Sequence, residues 1–232
     1  MMKQRWIAVT SALVGLCVTQ MARATMMIEL TTAQLTKEAK SVQIGEVTSS
    51  WSSWDEGQKM VFTYVEFRVD QTLKGDPRDT VQIRLPGGRA NGIGMVVHGM
   101  ANFHPGERAL LFLKQDSDGI PSLVGMAQGK YRIYRSKVTG EETAVFHAPQ
   151  NLEFYTPGPQ GRSLHVVESP VEKRVPLRDL VGEIQAAVRE EAESVAVNHV
   201  AAAVQAFATD AYWANILGSA MFALNGKGGA DI

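Results

Sequence analysis

The stretch FTYVEFRVDQTLKGDP, residues 62–77, commits part of this chain to one long strand. Val61, Thr63, Val65, Phe67 and Val69 alternate with Phe62, Tyr64, Glu66, Arg68 and Asp70. A period of two puts the first set on one face of a strand and the second on the other. The first face reads as buried along its length. The second begins with two aromatic rings and only then turns charged, so Phe62 and Tyr64 need a cover. A short N-terminal helix or a helix over 177–188 is the expected cover. Lys74-Gly75-Asp76-Pro77 ends the strand, since glycine supplies a positive φ and proline a fixed one.

The segments around it repeat that grammar. SVQIGEV (41–47) alternates as a first strand, and SSWSSWDEGQ reads as the loop between the two. TVQIRL, MVVHG, ALLFL, SLVGM, KYRIYR and TAVFH follow as short strands, with PGGRANGIG as a Gly-rich loop. Asp118-Gly119 and Thr139-Gly140 mark turns between them. Short strands at this spacing imply an all-β barrel or sandwich, not alternating βαβ units. Two helical patterns frame them. Thr31 or Thr32 can cap a short helix whose apolar side holds Leu35 and Ala39. Leu177, Leu180, Val181, Ile184 and Val188 recur at helical spacing behind Pro176.

The chain's beginning predicts export. Lys3 and Arg5, an uncharged apolar run and Ala22-Arg23-Ala24 form the three-part pattern of a signal peptide over residues 1–24. The run is about 12 residues, short of the ~20 that span a bilayer. The expected location is therefore periplasmic or extracellular. The single cysteine, Cys17, falls inside that run behind Leu16, where a lipoprotein signal would have a small residue. Without a cysteine past the leader, disulfides, thiolate metal sites and thiol nucleophiles are excluded. Lys3, Arg5 and Arg23 leave with the leader, and the balance of 23 basic to 24 acidic residues then turns acidic. Such a balance offers no field for gathering nucleic acid.

The expected organisation is a leader (1–24), a β domain (25–150), a linker rich in Pro, Gly and charge (151–175) and a helical region (176–232). Between Ser194 and Asn225 only Asp210 carries a formal charge. That tail reads as packing on the barrel or on a second copy of the chain, with self-association through 195–224. Contact with a membrane and service as a partner-binding helix are the alternatives.

AKSVQIGEV (39–47), FRVDQTLKG (67–75), the 106–113 segment and VGMAQGKY (124–131) together resemble a group of exported bacterial proteins of uncharacterised function. More remotely they are similar to netrin-like modules, among them tissue inhibitors of metalloproteinases. The resemblance covers about 41–135 and implies an OB-like five-stranded barrel, here with extra strands, the short N-terminal helix and C-terminal amphipathic helices. It also implies a non-catalytic binding role toward a protein, by analogy an exported peptidase. It departs where the inhibitors use an N-terminal cysteine to reach the enzyme's zinc, because the terminus expected here is Thr25-Met26-Met27.

Trp51 and Trp54, in the loop that OB folds commonly use for ligands, are candidate anchors for a protein partner, or alternatively for a glycan or small ligand. The competing reading folds both rings back on the barrel end. Lys130, Arg132 and Tyr134 share one strand face and are candidate contacts too, with nucleic acid disfavoured by export and charge. His98, His104 and Glu107 come nearest to a metal set, but their spacing straddles a loop and reads as surface or structural. Asp116-Ser117-Asp118-Gly119 lacks the closing glutamate of a calcium loop and reads as a turn. Neither a phosphate-cradling loop nor a nucleophile elbow is present, so no catalytic residue and no cofactor is expected.

Overall fold

The computed structural model describes residues 25–57, 59–149, 152–157, 164–167, 172–199 and 202. The expected leader and nearly all of the tail from residue 200 lie outside them. In chain order the elements are β1 (Thr25–Ile28), α1 (Thr32–Glu38), β2 (Ser41–Trp54), β3 (Val61–Lys74), β4 (Thr80–Pro86), β5 (Gly88–Ala90) and β6 (Ile93–Met95). There follow β7 (Arg108–Gln115), β8 (Pro121–Leu123), a 3-10 turn (Met126–Gly129), β9 (Lys130–Arg135), β10 (Glu142–His147), β11 (Leu152–Pro157), β12 (Leu164–Val167) and β13 (Glu172–Pro176). Helix α2 occupies residues 177–199. The chain divides into two compact units, one through Ile184 and one from Gln185. In the second, the described helical residues 189–199 are solvent-exposed apart from Glu191.

The protein is mainly β. Its principal sheet runs β13-β10-β9-β7-β2-β3-β4, with β8 added beside β7, and its ladders are antiparallel. A smaller sheet pairs β1 parallel to β11 and β11 antiparallel to β12. The described ladders leave both sheets open, so the mainly-β expectation is met in architecture while a closed five-stranded barrel is not among the pairings.

β2 is twice the length its first seven residues announce. The segment SSWSSW, expected as a loop, continues the strand and pairs with β3 as far as Trp54–Val61. Its serines and tryptophans alternate as faithfully as SVQIGEV does, and the hairpin closes only at Asp55, whose Oδ1 accepts the N–H groups of Lys59 and Met60. Three register shifts between β2 and β3 (Val42/Gln43, Ile44/Gly45 and Val47/Ser49) mark bulges, which coil a ladder that would otherwise be long and straight. Gly45 sits at one of them, where a Cβ would lie 2.0 Å from the Arg68 carbonyl oxygen.

Other differences follow from local pairing. The Gly-rich loop holds the small β5–β6 hairpin, while Val96–Gly99, expected within a strand, has no ladder. The 151–175 segment, expected as a linker, contributes β11, β12 and most of β13. Its Pro, Gly and charged residues hid strands that are short and lie on or near sheet edges.

Two sets of apolar side chains hold the first unit. One face of the principal sheet buries Val47, Val65, Phe67, Ile83, Leu85, Leu111 and Leu113 with Phe103 from the preceding loop. Elsewhere a chain of rings, Phe112–Tyr131–Phe146–Phe154, runs at centroid spacings of 6.0–6.3 Å and links the two sheets. Leu177, Leu180 and Ile184 are buried on α2, as their spacing predicts. Helix α1 starts at a capping box in which Thr31 and Gln34 satisfy each other's backbone N–H, and Leu35 and Ala39 are its buried contacts. The buried Gln128 side chain ties down the N-terminal segment, donating to the Ile28 carbonyl (2.9 Å) and accepting from the Leu30 N–H (2.8 Å).

Candidate functional site

The outer face of β2, β3 and β4 gathers aromatic groups in rows set by register. Trp51 opposes Tyr64, and Tyr64 opposes Arg84. The Trp51 and Tyr64 rings stack with centroids 5.7 Å apart and planes 18° apart, while the Arg84 guanidinium lies 4.7 Å from the centre of the Phe62 ring. Phe62 and Tyr64 therefore take partial cover from neighbours on their own sheet, where a helix was expected. That corrects the expected cover, and the physical reason is the extension of β2, which supplies Trp51. Arg84 is anchored beneath by Asp118 at 2.6 Å and Asp116 at 3.7 Å. Its guanidinium, with help from the Ile120 N–H, holds the Asp118 carboxyl below the usual carboxylate range. The would-be calcium loop thus serves as a counter-ion for Arg84.

Trp51 remains 41% exposed. Trp54, three residues on, falls on the opposite face, half-buried beside Arg89 and Asn91. The two tryptophans are not paired anchors in a loop. They lie on one strand and look in opposite directions, because an odd separation reverses the face.

The second assembly lies where the interior face of the principal sheet runs out at β9 and β10. Lys130 and Arg132 project from the same side of β9, as alternation predicts, and line a cleft of about 440 Å³ with Asn102, His104, Glu107 and His147. Glu107 is its organising residue. Its carboxylate is 2% exposed; Oε1 takes Lys130 Nζ at 2.6 Å and stands 3.7 Å from Arg132 Nε, and Oε2 accepts the His104 N–H at 3.1 Å. Lys130 is 11% exposed, stands 4.3 Å from the Phe103 ring centre and donates to the Asn102 carbonyl. Burial pushes its ammonium pKa down, against the opposing pull of Glu107. Arg132 lies 5.0 Å from the Tyr134 ring centre, which brings the third predicted residue of that face into the assembly.

Glu107 is therefore a counter-ion for Lys130. His104 meets it through its backbone while both His104 and His98 are exposed, and His98 does not line the cleft. Among the described residues no group of three metal-ligating side chains converges. Sequence reasoning missed Tyr64 as the partner of Trp51, Arg84 as the partner of Phe62, and Phe103 and Asn102 as the seat of Lys130. The strand alternation carried the signal for the first two; nothing in the 100–107 loop announced the others. No protein-family model matches the chain, and no curated protein sequence matches it. No helix among the described residues is long and apolar enough to cross a membrane.

Proposed function

We propose that this chain is an exported, non-catalytic module that binds a protein partner through the outer face of β2, β3 and β4. The observation that carries the reading is Trp51, exposed yet stacked on Tyr64. Tryptophan, tyrosine and arginine dominate the energetic centres of protein interfaces. A ring already fixed by its neighbour loses little rotamer freedom on binding, so more of its burial appears as affinity. Arg84, held by Asp118 and Asp116, and Phe62 extend the same rigid surface. By analogy with the inhibitors that the chain remotely resembles, the partner is an exported peptidase. The missing N-terminal cysteine means that contact would be made by this face and not by a zinc-seeking terminus.

The OB-type relationship belongs to the same proposal. A long, bulged β2–β3 ladder shared between β7 and β4 is the kind of coiled arrangement such barrels use. Backbone NOEs joining β4 to a second barrel strand would establish closure, and their absence would leave an open sheet.

The test of partner binding is affinity capture from the native envelope fraction and culture medium, with tagged 25–232 beside its Trp51→Ala and Tyr64→Ala variants. One protein held stoichiometrically by the parent and lost from both variants supports the reading. Equal recovery by all three removes this face as the binding surface.

A further inference from the structure

The cleft beside β9 carries a charge arrangement that the partner face does not use. Lys130 and Glu107 neutralise each other at 2.6 Å in near-complete burial. Among the described residues, that leaves Arg132 as the less compensated cation of the cleft. Its Nε is 3.7 Å from the already occupied Glu107 Oε1, and its plane is steadied by Tyr134. Among the described residues Nη1 and Nη2 have no hydrogen-bond partner, and the side chain is 41% exposed at the cleft mouth. A guanidinium held on one edge and one face, with its remaining fork unoccupied, is pre-organised for a planar two-oxygen acceptor.

We propose that this cleft binds a small monocarboxylic acid, its carboxylate on the Arg132 fork and its short apolar body against Val145 and Met100. Charge decides for a carboxylate over a phosphate. Among the described lining residues Lys130 and Arg132 share the single carboxylate of Glu107, a surplus of one positive charge that matches one negative charge, and the fixed carboxylate of Glu107 opposes a second. Volume agrees, because about 440 Å³ lies within the roughly 300–1,000 Å³ of small-molecule sites. The imidazoles of His104 and His147 sit on the lining and add polar groups, with His147 Nδ1 3.4 Å from the Glu172 carboxylate. The site is independent of the Trp51 face, so either proposal can fail without the other.

The test is an ¹⁵N-detected titration of the leaderless chain with sodium butyrate, with inorganic phosphate and sodium chloride at matched ionic strength in separate arms. Saturable shifts in β9 and the 100–107 loop with butyrate, at a Kd of about 1 mM or tighter, are expected. Arg132→Gln should weaken binding about tenfold or more, and Arg132→Lys should fall between, since a lysine keeps the charge but loses the fork. Trp51→Ala should bind butyrate as the parent does. Because Arg132 is exposed, both of its variants should fold, which their spectra would report directly. Absence of saturation, equal binding by Arg132→Gln, or the same shifts with chloride would overturn the proposal. Phosphate binding without butyrate binding would overturn the carboxylate assignment.

Discussion

Trp51 and Tyr64 are register partners across β2 and β3, and their rings stack on the solvent side of the ladder. The contact that stiffens the end of a long hairpin also fixes an exposed ring in one orientation, as the proposed interface requires. Trp51→Ala should cost about 1 kcal/mol of stability, the usual worth of an aromatic pair beyond its burial. It should cost about 2 kcal/mol or more in partner affinity if the ring is a hot spot. Tyr64→Ala should lose the same coupling, so the double variant should be less destabilised than the two singles added together. Denaturant unfolding and a binding titration check both. Additive losses would show that the stack contributes nothing as a unit.

Gly45→Ala should be far more damaging than its one added methyl suggests. The new Cβ would meet the Arg68 carbonyl oxygen at 2.0 Å and carbon at 2.9 Å, both backbone atoms of the paired strand. Neither can swing aside as a flexible side chain would. A loss of about 3 kcal/mol or more is expected, at or beyond the top of the usual overpacking range, read as a lowered midpoint in urea. A change within about 0.5 kcal/mol, the range of an ordinary surface substitution, would mean that the β2–β3 ladder opens at this bulge more readily than its pairing implies.

Several elements were legible because their evidence is local. A helix cap at Thr31 or Thr32, which the structure makes a capping box at Thr31, the alternation of Val61–Val69 and the glycine turns at Gly119 and Gly140 can be read from a few neighbouring residues. The extent of β2 was not, because serine-rich SSWSSW has turn-like composition and strand-like periodicity, and the longer ladder with β3 decided between them. Half of the cleft was legible in the same way. Alternation alone put Lys130, Arg132 and Tyr134 on one face. What Glu107 does there depends on a loop that brings residues 23 positions apart to 2.6 Å, and spacing carries no sign of that. Sheet closure was equally out of reach, since it depends on which edges meet.

Tyr131 should titrate late and make stability fall at high pH. Burial first, and then the negative charges of Glu183 and Glu29, push its phenol up to about 12. An unfolded tyrosine ionises near 10. The native state therefore holds the proton more tightly, so this contribution is fully present below about pH 10 and is lost as pH rises toward 12. Absorbance of tyrosinate during an alkaline titration should show one late group that is missing from Tyr131→Phe. That variant should also lose stability less steeply across the same window. If every tyrosine ionised together near pH 10 in a chain still folded by circular dichroism, the phenol would not be buried as described.

The Glu107–Lys130 pair gives the most discriminating test of how the cleft is built. Both side chains are nearly out of water, and such pairs owe little of their energy to attraction alone, since desolvation takes back much of it. What the fold cannot tolerate is one charge without the other. Glu107→Leu strands Lys130 against Phe103 and the Asn102 carbonyl, and Lys130→Met leaves a buried carboxylate that keeps, among the described residues, the His104 N–H and Arg132 at 3.7 Å. Each single change should cost about 3–5 kcal/mol. The double variant removes both charges and should recover a large part of that loss, because apolar side chains of similar size can fill the space. Urea unfolding of the four proteins measures the cycle. Singles that add without coupling would show that the two groups are solvated separately, and Glu107 would cease to be the residue around which the cleft is organised.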